Sequence, residues 1–324
     1  MLMVIIGAGA SFDSSADHRA STYSLKRPPL ANDLFHHRYG RFRAQFPQFQ
    51  GVLAELVPKA GRSVEDVLQR LQGESGANPM RHQQLAAIRY YLRSLLSVVP
   101  AEWLSVVGGF TNYNALLDQI NNHRKGSEPV CLVTFNYDTL LETALAKECG
   151  MSWDVMDDYI SHTEFKLFKL HGSTNWGREI HSLPTGLRTA GPEDLIPLAS
   201  RLGISDQFAV DTSPPALLFP AIAIPVTGKN VFECPANHVR VLSDLIPKVT
   251  KVLTIGWRGM EDQFLQMLRN LGAVTIATVA GTQDDARETL ERIRALSIEI
   301  VGHASYAGFS DTIGDRKLDG FLGA

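Results

Sequence analysis

The feature that most constrains this chain is a series of short, continuous apolar runs, each stopped by glycine or a polar turn. The first is Met1-Leu-Met-Val-Ile-Ile6, which breaks at Gly7-Ala-Gly-Ala-Ser11. Others follow at Val130–Phe135, Phe165–Leu170, Ala216–Phe219, Val252–Ile255, Val274–Val279 and Ile298–Val301. A run without polar alternation reads as a strand buried on both faces, the condition of a parallel sheet covered by helices. Helical patterns lie between several runs. Thr139–Lys147 and Met260–Leu271 read as helices, as does Gln283–Leu296, with apolar positions at Ala286, Leu290, Ile293 and Leu296. Strands alternating with helices predict an α/β fold built on a doubly wound parallel sheet.

Two stretches depart from that alternation. Residues from about Ala31 to Gly126 contain helical patterns and no convincing strand, so they read as a helical module inserted after the first strand. Within it, Ser63 followed by Asp66 resembles a capping box ahead of a helix through Leu71. Leu85–Val99 is a second, longer helix. This module reads as scaffold and contact surface between copies. The second stretch, Gly172–Pro215, is rich in Gly, Pro, Ser and Thr and reads as a loop-rich excursion. The expected organisation is one domain over residues 1–324 with the helical module, 31–126, inside it.

Composition narrows the function. The chain has 324 residues, a formal net charge of -3 and only three cysteines, Cys131, Cys149 and Cys234. That balance gives no reason to expect direct nucleic-acid binding or an anionic membrane as partner. Three scattered cysteines exclude a four-cysteine zinc site within the chain and argue against a disulfide-stapled fold. The apolar run at Leu2–Ile6 is too short to span a bilayer and lacks a basic leader. A cytoplasmic location is therefore expected.

Three strand ends carry the candidate chemistry. The two glycines of Ile6-Gly-Ala-Gly-Ala-Ser11 let the backbone turn tightly and bring amide groups close to phosphate oxygens. A dinucleotide fingerprint would place a third glycine where Phe12 stands, so that match is incomplete. In Val133-Thr-Phe-Asn-Tyr-Asp138, Asn136 and Asp138 follow a buried strand, where open α/β sheets bind ligands. Either residue can equally cap the helix that begins near Thr139. In Lys169-Leu-His-Gly-Ser173, His171 stands at a third such edge. A lone histidine is commonly structural; beside two other polar strand edges it becomes a candidate base.

Taken in order, these three motifs resemble the sirtuin superfamily, in particular its prokaryotic sirtuin-like defence branch. The resemblance covers residues 1–13 and about 130–180, and more loosely 216–310. It implies a Rossmann-like core that binds NAD. Gly7, Ala8, Gly9 and Ser11 would line the diphosphate and ribose, with Ala10 and Thr134 also among the NAD-binding residues. Asn136 would hold the nicotinamide ribose and orient the attacking water, and Asp138 would face the carboxamide. His171 would take a proton from a ribose hydroxyl or from that water. Ile255-Gly256-Trp-Arg258 occupies the place of a later Gly-Thr-Ser turn near the phosphates, with only Gly256 matching. Arg258 is either a bidentate donor to phosphate or a surface ion pair.

Departures from the deacylating sirtuins shape the functional expectation. Phe135 stands for Gln and Tyr137 for Ile. Pro28-Pro-Leu-Ala31 occupies roughly the place of a Phe-Arg pair, and no cysteine occurs between Gly172 and Pro215. Without the four-cysteine module that helps form an acyl-lysine groove, no zinc is expected. The chemistry left is hydrolysis of the bond between nicotinamide and ribose, with NAD as substrate. Its transition state is oxocarbenium-like and gains from oriented water and stabilised charge. A neutral histidine accepts a proton near physiological pH. By resemblance, such an NADase depletes NAD in antiphage (abortive infection) defence. It would be restrained as a homo-oligomer or by a separate partner such as a hexameric ATPase or an Argonaute-like factor. Two other readings remain at this point: an NAD-dependent protein deacylase, and a non-catalytic sensor of NAD or ADP-ribose.

Overall fold

A computed structural model describes residues 1–15, 17, 26–57, 63–124, 129–182, 191–211, 218–226 and 232–324. Its centre is a six-stranded parallel sheet. The strands are β1 (Leu2–Ile6), β2 (Val130–Thr134), β3 (Phe165–Lys169), β7 (Lys251–Ile255), β8 (Val274–Ala280) and β9 (Ile300–Ala307). Their order is β3-β2-β1-β7-β8-β9. The chain thus builds outward from β1 on one side, then returns to β1 and builds outward on the other. The crevice between β1 and β7 is where the strand order reverses, and open α/β sheets bind ligands there. The expected Rossmann-like, doubly wound sheet is present.

Burial follows the apolar runs. Met3 to Ile6 and Cys131 to Val133 are fully buried, as are Leu253 and Ile255. Helices Leu140–Cys149, Asp262–Leu268 and Gln283–Arg294 form the connections that the apolar spacing predicts. Ala286, Leu290 and Ile293 of the last are buried against the sheet. β9 runs on to Ala307, well past the expected Val301. Its polar continuation is that of an edge strand, and Val301 itself is 64% exposed.

Among the described residues between β1 and β2, the regular elements are all helices. Helix Val64–Ser75 opens on the capping box expected from Ser63 and Asp66, with Asp66 N donating to Ser63 Oγ at 3.1 Å and Ser63 N to Asp66 Oδ2 at 3.2 Å. The Leu85–Val99 pattern belongs to a longer helix, Pro79–Val106. Among the described residues, no helix is long and apolar enough to cross a membrane.

The loop-rich reading of Gly172–Pro215 is corrected by a second sheet. β4 (Gly172–Ser182) lies between β5 (Gly203–Val210) and β6 (Leu218–Ile222), and both pairings are antiparallel. The Ala216–Phe219 run feeds β6, so it does not join the parallel sheet; Ala216 and Leu217 lie outside the described residues. Register shifts interrupt β4 between Gly172 and Gly177, between Arg178 and Ile180, and between Ile180 and Ser182. Each shift breaks the two-residue alternation by which a strand is recognised. The β4 to β6 sheet packs on the helical region, where Ile222, Phe219 and Leu195 share a core with Tyr90, Tyr91 and Leu92. Arg93 ties the two together by donating to Thr174 O at 3.0 Å and pairing with Asp211.

His238, in helix Ala236–Leu245, is 1% exposed, and its Nε2 lies 3.0 Å from Met156 O. Burial drives its pKa from 6.5 down to about 4, against a smaller opposing effect of the Met156 carbonyl. The folded protein therefore holds this ring neutral while the unfolded chain takes up a proton. Stability is expected to fall as pH drops below about 6.5, by roughly 2–3 kcal/mol at pH 4 from this residue. Urea unfolding at pH 7 and pH 4.5 checks this, with the pH slope flattened in His238→Gln.

Candidate functional site

Gly7 leaves β1 and starts a turn into the short helix Ala8–Phe12. That turn is pressed against the turn after β7. Gly7 N donates to Ile255 O at 3.0 Å and Gly9 N to Gly256 O at 3.2 Å. A Cβ on Gly7 would stand 2.4 Å from Gly256 O, and one on Gly9 2.8 Å from Gly256 Cα. Gly256 has φ of +59°, and a Cβ there would meet Ala10 N at 2.2 Å. No side chain fits at any of the three positions, because two main chains touch. The glycines are thus required by one another. The Gly7 and Gly9 amides are committed to carbonyls of the opposite turn and the Gly256 amide to Val279 O at 2.8 Å, so these three do not stand free for phosphate.

A cavity of about 910 Å³ lies over the carboxyl ends of the parallel strands. Pockets of roughly 300–1,000 Å³ suit small molecules and cofactors. Gly7, Ala8, Gly9, Ser11, Asn136, Asp138, His171, Gly256 and Arg258 all line it. Two expected residues do not. Ala10 is fully buried, and Thr134 stands behind Asn136, its Oγ1 accepting from Asn136 N at 3.1 Å.

Asn136 is 7% exposed and held on several sides. Its Nδ2 lies 3.0 Å from Gly7 O, 2.9 Å from Ser11 Oγ and 3.4 Å from Tyr113 OH. Its Oδ1 is buried and has no hydrogen-bond partner among the described residues. A buried carbonyl oxygen left in this state costs free energy unless a ligand or water donates to it. His171, 4% exposed, sits with Leu170 in the turn between β3 and β4. Its ring lies 4.8 Å from that of Phe135 and 6.2 Å from that of Tyr137, nearly parallel to the latter. Asp138 Oδ1 accepts from Leu140 N at 3.1 Å. Of the two readings open for Asp138, this supports helix capping, although the residue also lines the cavity.

Beneath these loops lies a buried ion pair. Lys169, fully buried at the end of β3, donates to Glu142 Oε1 at 2.7 Å and to Asp138 O at 2.5 Å. Burial pushes the Glu142 carboxyl above its usual range, and the Lys169 ammonium pulls the other way. The ammonium thereby braces the β2 loop against the end of β3.

Carboxylates outnumber cations on the cavity wall, but most are already engaged. Asp13 accepts from Ser310 N at 3.1 Å and from Ser310 Oγ at 2.6 Å. Glu261 accepts from Trp257 Nε1 at 2.6 Å. Asp285 caps the helix after β8 with Thr282. Glu65 pairs with Arg258 at 3.4 Å, and the Arg258 side chain is 67% exposed. Arg258 is thus a solvated ion pair that also lines the cavity.

Some wall residues gave no signal in the sequence. Ala31–Leu34, Glu65 and Leu96 come from the segment read as scaffold, and so does Tyr113, fully buried behind the wall in helix Asn112–His123. Trp257 stacks on Phe135 at 5.9 Å with 9° between the rings. Asn112 bonds both Asp13 O, at 2.8 Å, and Ser310 Oγ, at 2.9 Å, and so ties the helical segment to helix Phe309–Gly314 after β9. Only the folded arrangement brings these residues to the strand edges.

No protein-family model matches the chain, and no curated protein matches it either.

Proposed function

We propose that this chain binds NAD across the cavity and hydrolyses the bond between nicotinamide and ribose. One observation carries the reading. Asn136 and His171, from two different strand edges, line the same cavity as the Gly7–Ser11 turn, at the crevice where strand order reverses. The sirtuin-like motifs supply the substrate, and the volume suits a dinucleotide lying along the strand ends.

In this mechanism the Asn136 Oδ1, buried and without a partner among the described residues, accepts a hydrogen bond from the attacking water or from a ribose hydroxyl. His171 in its neutral form takes the proton that the water gives up as its oxygen bonds to the ribose carbon. The bonding pair of the broken C–N bond passes to the nicotinamide ring nitrogen and neutralises it, so the leaving group needs no acid. Trp257, Phe135 and Tyr137 form an aromatic wall that limits bulk water. Arg258 stands where it can turn from Glu65 to a phosphate oxygen. Control of such an enzyme through assembly or a partner protein, in a role in defence against phage, belongs to the same proposal.

Incubation of the purified chain with NAD, alone and with the products of neighbouring genes, tests the proposal. Nicotinamide and ADP-ribose are expected in equal amounts. Bound NAD recovered intact under every condition would instead make the chain a sensor. Release of an acyl-ADP-ribose from an acylated peptide would make it a deacylase. Failure of both NAD and ADP-ribose to bind would remove all three readings.

A further inference from the structure

We infer that Tyr113, acting with Ser11, is a positioning residue that locks the Asn136 amide so that its carbonyl oxygen is offered to the cavity. For its catalytic consequence this rests on the NAD-cleavage reading; for its geometry it does not.

The argument starts from the two ends of the amide. Gly7 O can only accept a hydrogen bond, so the group 3.0 Å from it must be the NH₂ end of Asn136. Rotating the amide by half a turn would set Oδ1 against that carbonyl, two acceptors facing each other. The second amide hydrogen is directed to Ser11 Oγ at 2.9 Å, with Tyr113 OH at 3.4 Å beside it. Both donors of the amide are then consumed by protein, and Oδ1 faces away from them. Asn136 therefore presents an acceptor and no donor. It can receive an O–H from water or ribose, and it cannot donate to a carbonyl or phosphate.

Tyr113 makes this arrangement single-valued. Its hydroxyl lies 2.9 Å from Ser11 Oγ. The ring is fully buried and rests against Phe309 at 5.9 Å. Burial, and after it the Asp138 carboxylate, holds the phenol well above its ordinary pKa, so the hydroxyl keeps its proton. When that proton goes to Ser11 Oγ, the serine accepts from both Tyr113 and Asn136. Its own hydrogen is then left for the cavity that Ser11 also lines. Without the phenol oxygen, the serine hydroxyl is free to turn back and the amide loses a neighbour. Tyr113 reaches the site from a helix outside the sheet, so the helical region contributes to the chemistry and not only to support.

The test uses the full chain, labelled with ¹⁵N, and the Tyr113→Phe variant. The Asn136 side-chain NH₂ resonances are assigned by their loss in Asn136→Asp. Tyr113→Phe is expected to shift that pair and to speed its hydrogen exchange. It should lower kcat for NAD about tenfold while KM changes less than about threefold, since one positioning bond is lost and not the ligand contacts. Ser11→Ala examines the same contact from the other side, should Tyr113→Phe fold poorly. The two changes combined are expected to fall short of the product of their separate effects. An unmoved Asn136 pair together with an unchanged kcat in a folded Tyr113→Phe protein overturns the inference. A parent protein that consumes no NAD, yet whose Asn136 pair moves in the variant, removes the cleavage reading and leaves the amide lock in place.

Discussion

Asn136→Ala and His171→Ala are each expected to bring NAD consumption to background while the protein stays folded. Loss of a positioned proton acceptor costs a rate of about 10²–10⁴, and removal of a group that orients the nucleophile acts in the same range. The two variants differ in stability. Asn136→Ala removes the donor to Gly7 O and the partner of Ser11, so it should lower the unfolding free energy by about 1–3 kcal/mol. His171→Ala removes instead the packing of a buried ring against Phe135 and Tyr137. Nicotinamide release, with thermal unfolding as control, measures both. Full turnover by both folded variants would leave the proposed mechanism without its parts.

Lys169→Met should have the largest effect on folding. The ammonium sits fully buried between Glu142 and the Asp138 carbonyl. Replacing it leaves an uncompensated carboxylate in a dry site, which costs about 3–5 kcal/mol. The sign of the pH dependence is fixed by that carboxylate. Burial already pushes the Glu142 carboxyl upward, and without the lysine the main opposing influence is gone, leaving only a smaller backbone hydrogen bond. The variant is therefore least stable at neutral and higher pH and recovers part of the loss as pH falls and Glu142 takes up a proton. Adding Glu142→Gln should restore much of the stability at pH 7, because an amide can be buried at a smaller cost than a charge. Urea unfolding of the two single variants and the double variant decides this. A Lys169→Met protein as stable as the parent at pH 7 would mean that the ion pair is not the brace described.

The sheet was legible because burial on two faces leaves an unmistakable trace, and Met1–Ile6, Val130–Phe135 and Val274–Val279 carry it without interruption. β4 was illegible for the opposite reason. Its polar residues and three register shifts leave neither an apolar run nor an alternation. The site was half legible. Asn136, His171 and the glycine turn sit at strand ends, where position along the chain already implies position in the crevice. Tyr113 does not: its place beside Asn136 depends on how a helix 23 residues earlier docks against the sheet. The glycines were noticed for a property they do have, close approach, and the sequence could not show that the backbone they approach is that of Gly256.

That contact between Gly7, Gly9 and Gly256 has a consequence for how such a protein can change. At these three positions peptide units meet peptide units, so substitution there alters nothing gradually: each replacement inserts a carbon atom where another backbone already lies. Variation in ligand preference is thereby left to the walls, where side chains such as Tyr137, Trp257 and Pro225 face the cavity. A base that tolerates no decoration, under sides that do, would let related chains accept different molecules while keeping one geometry at the point of reaction.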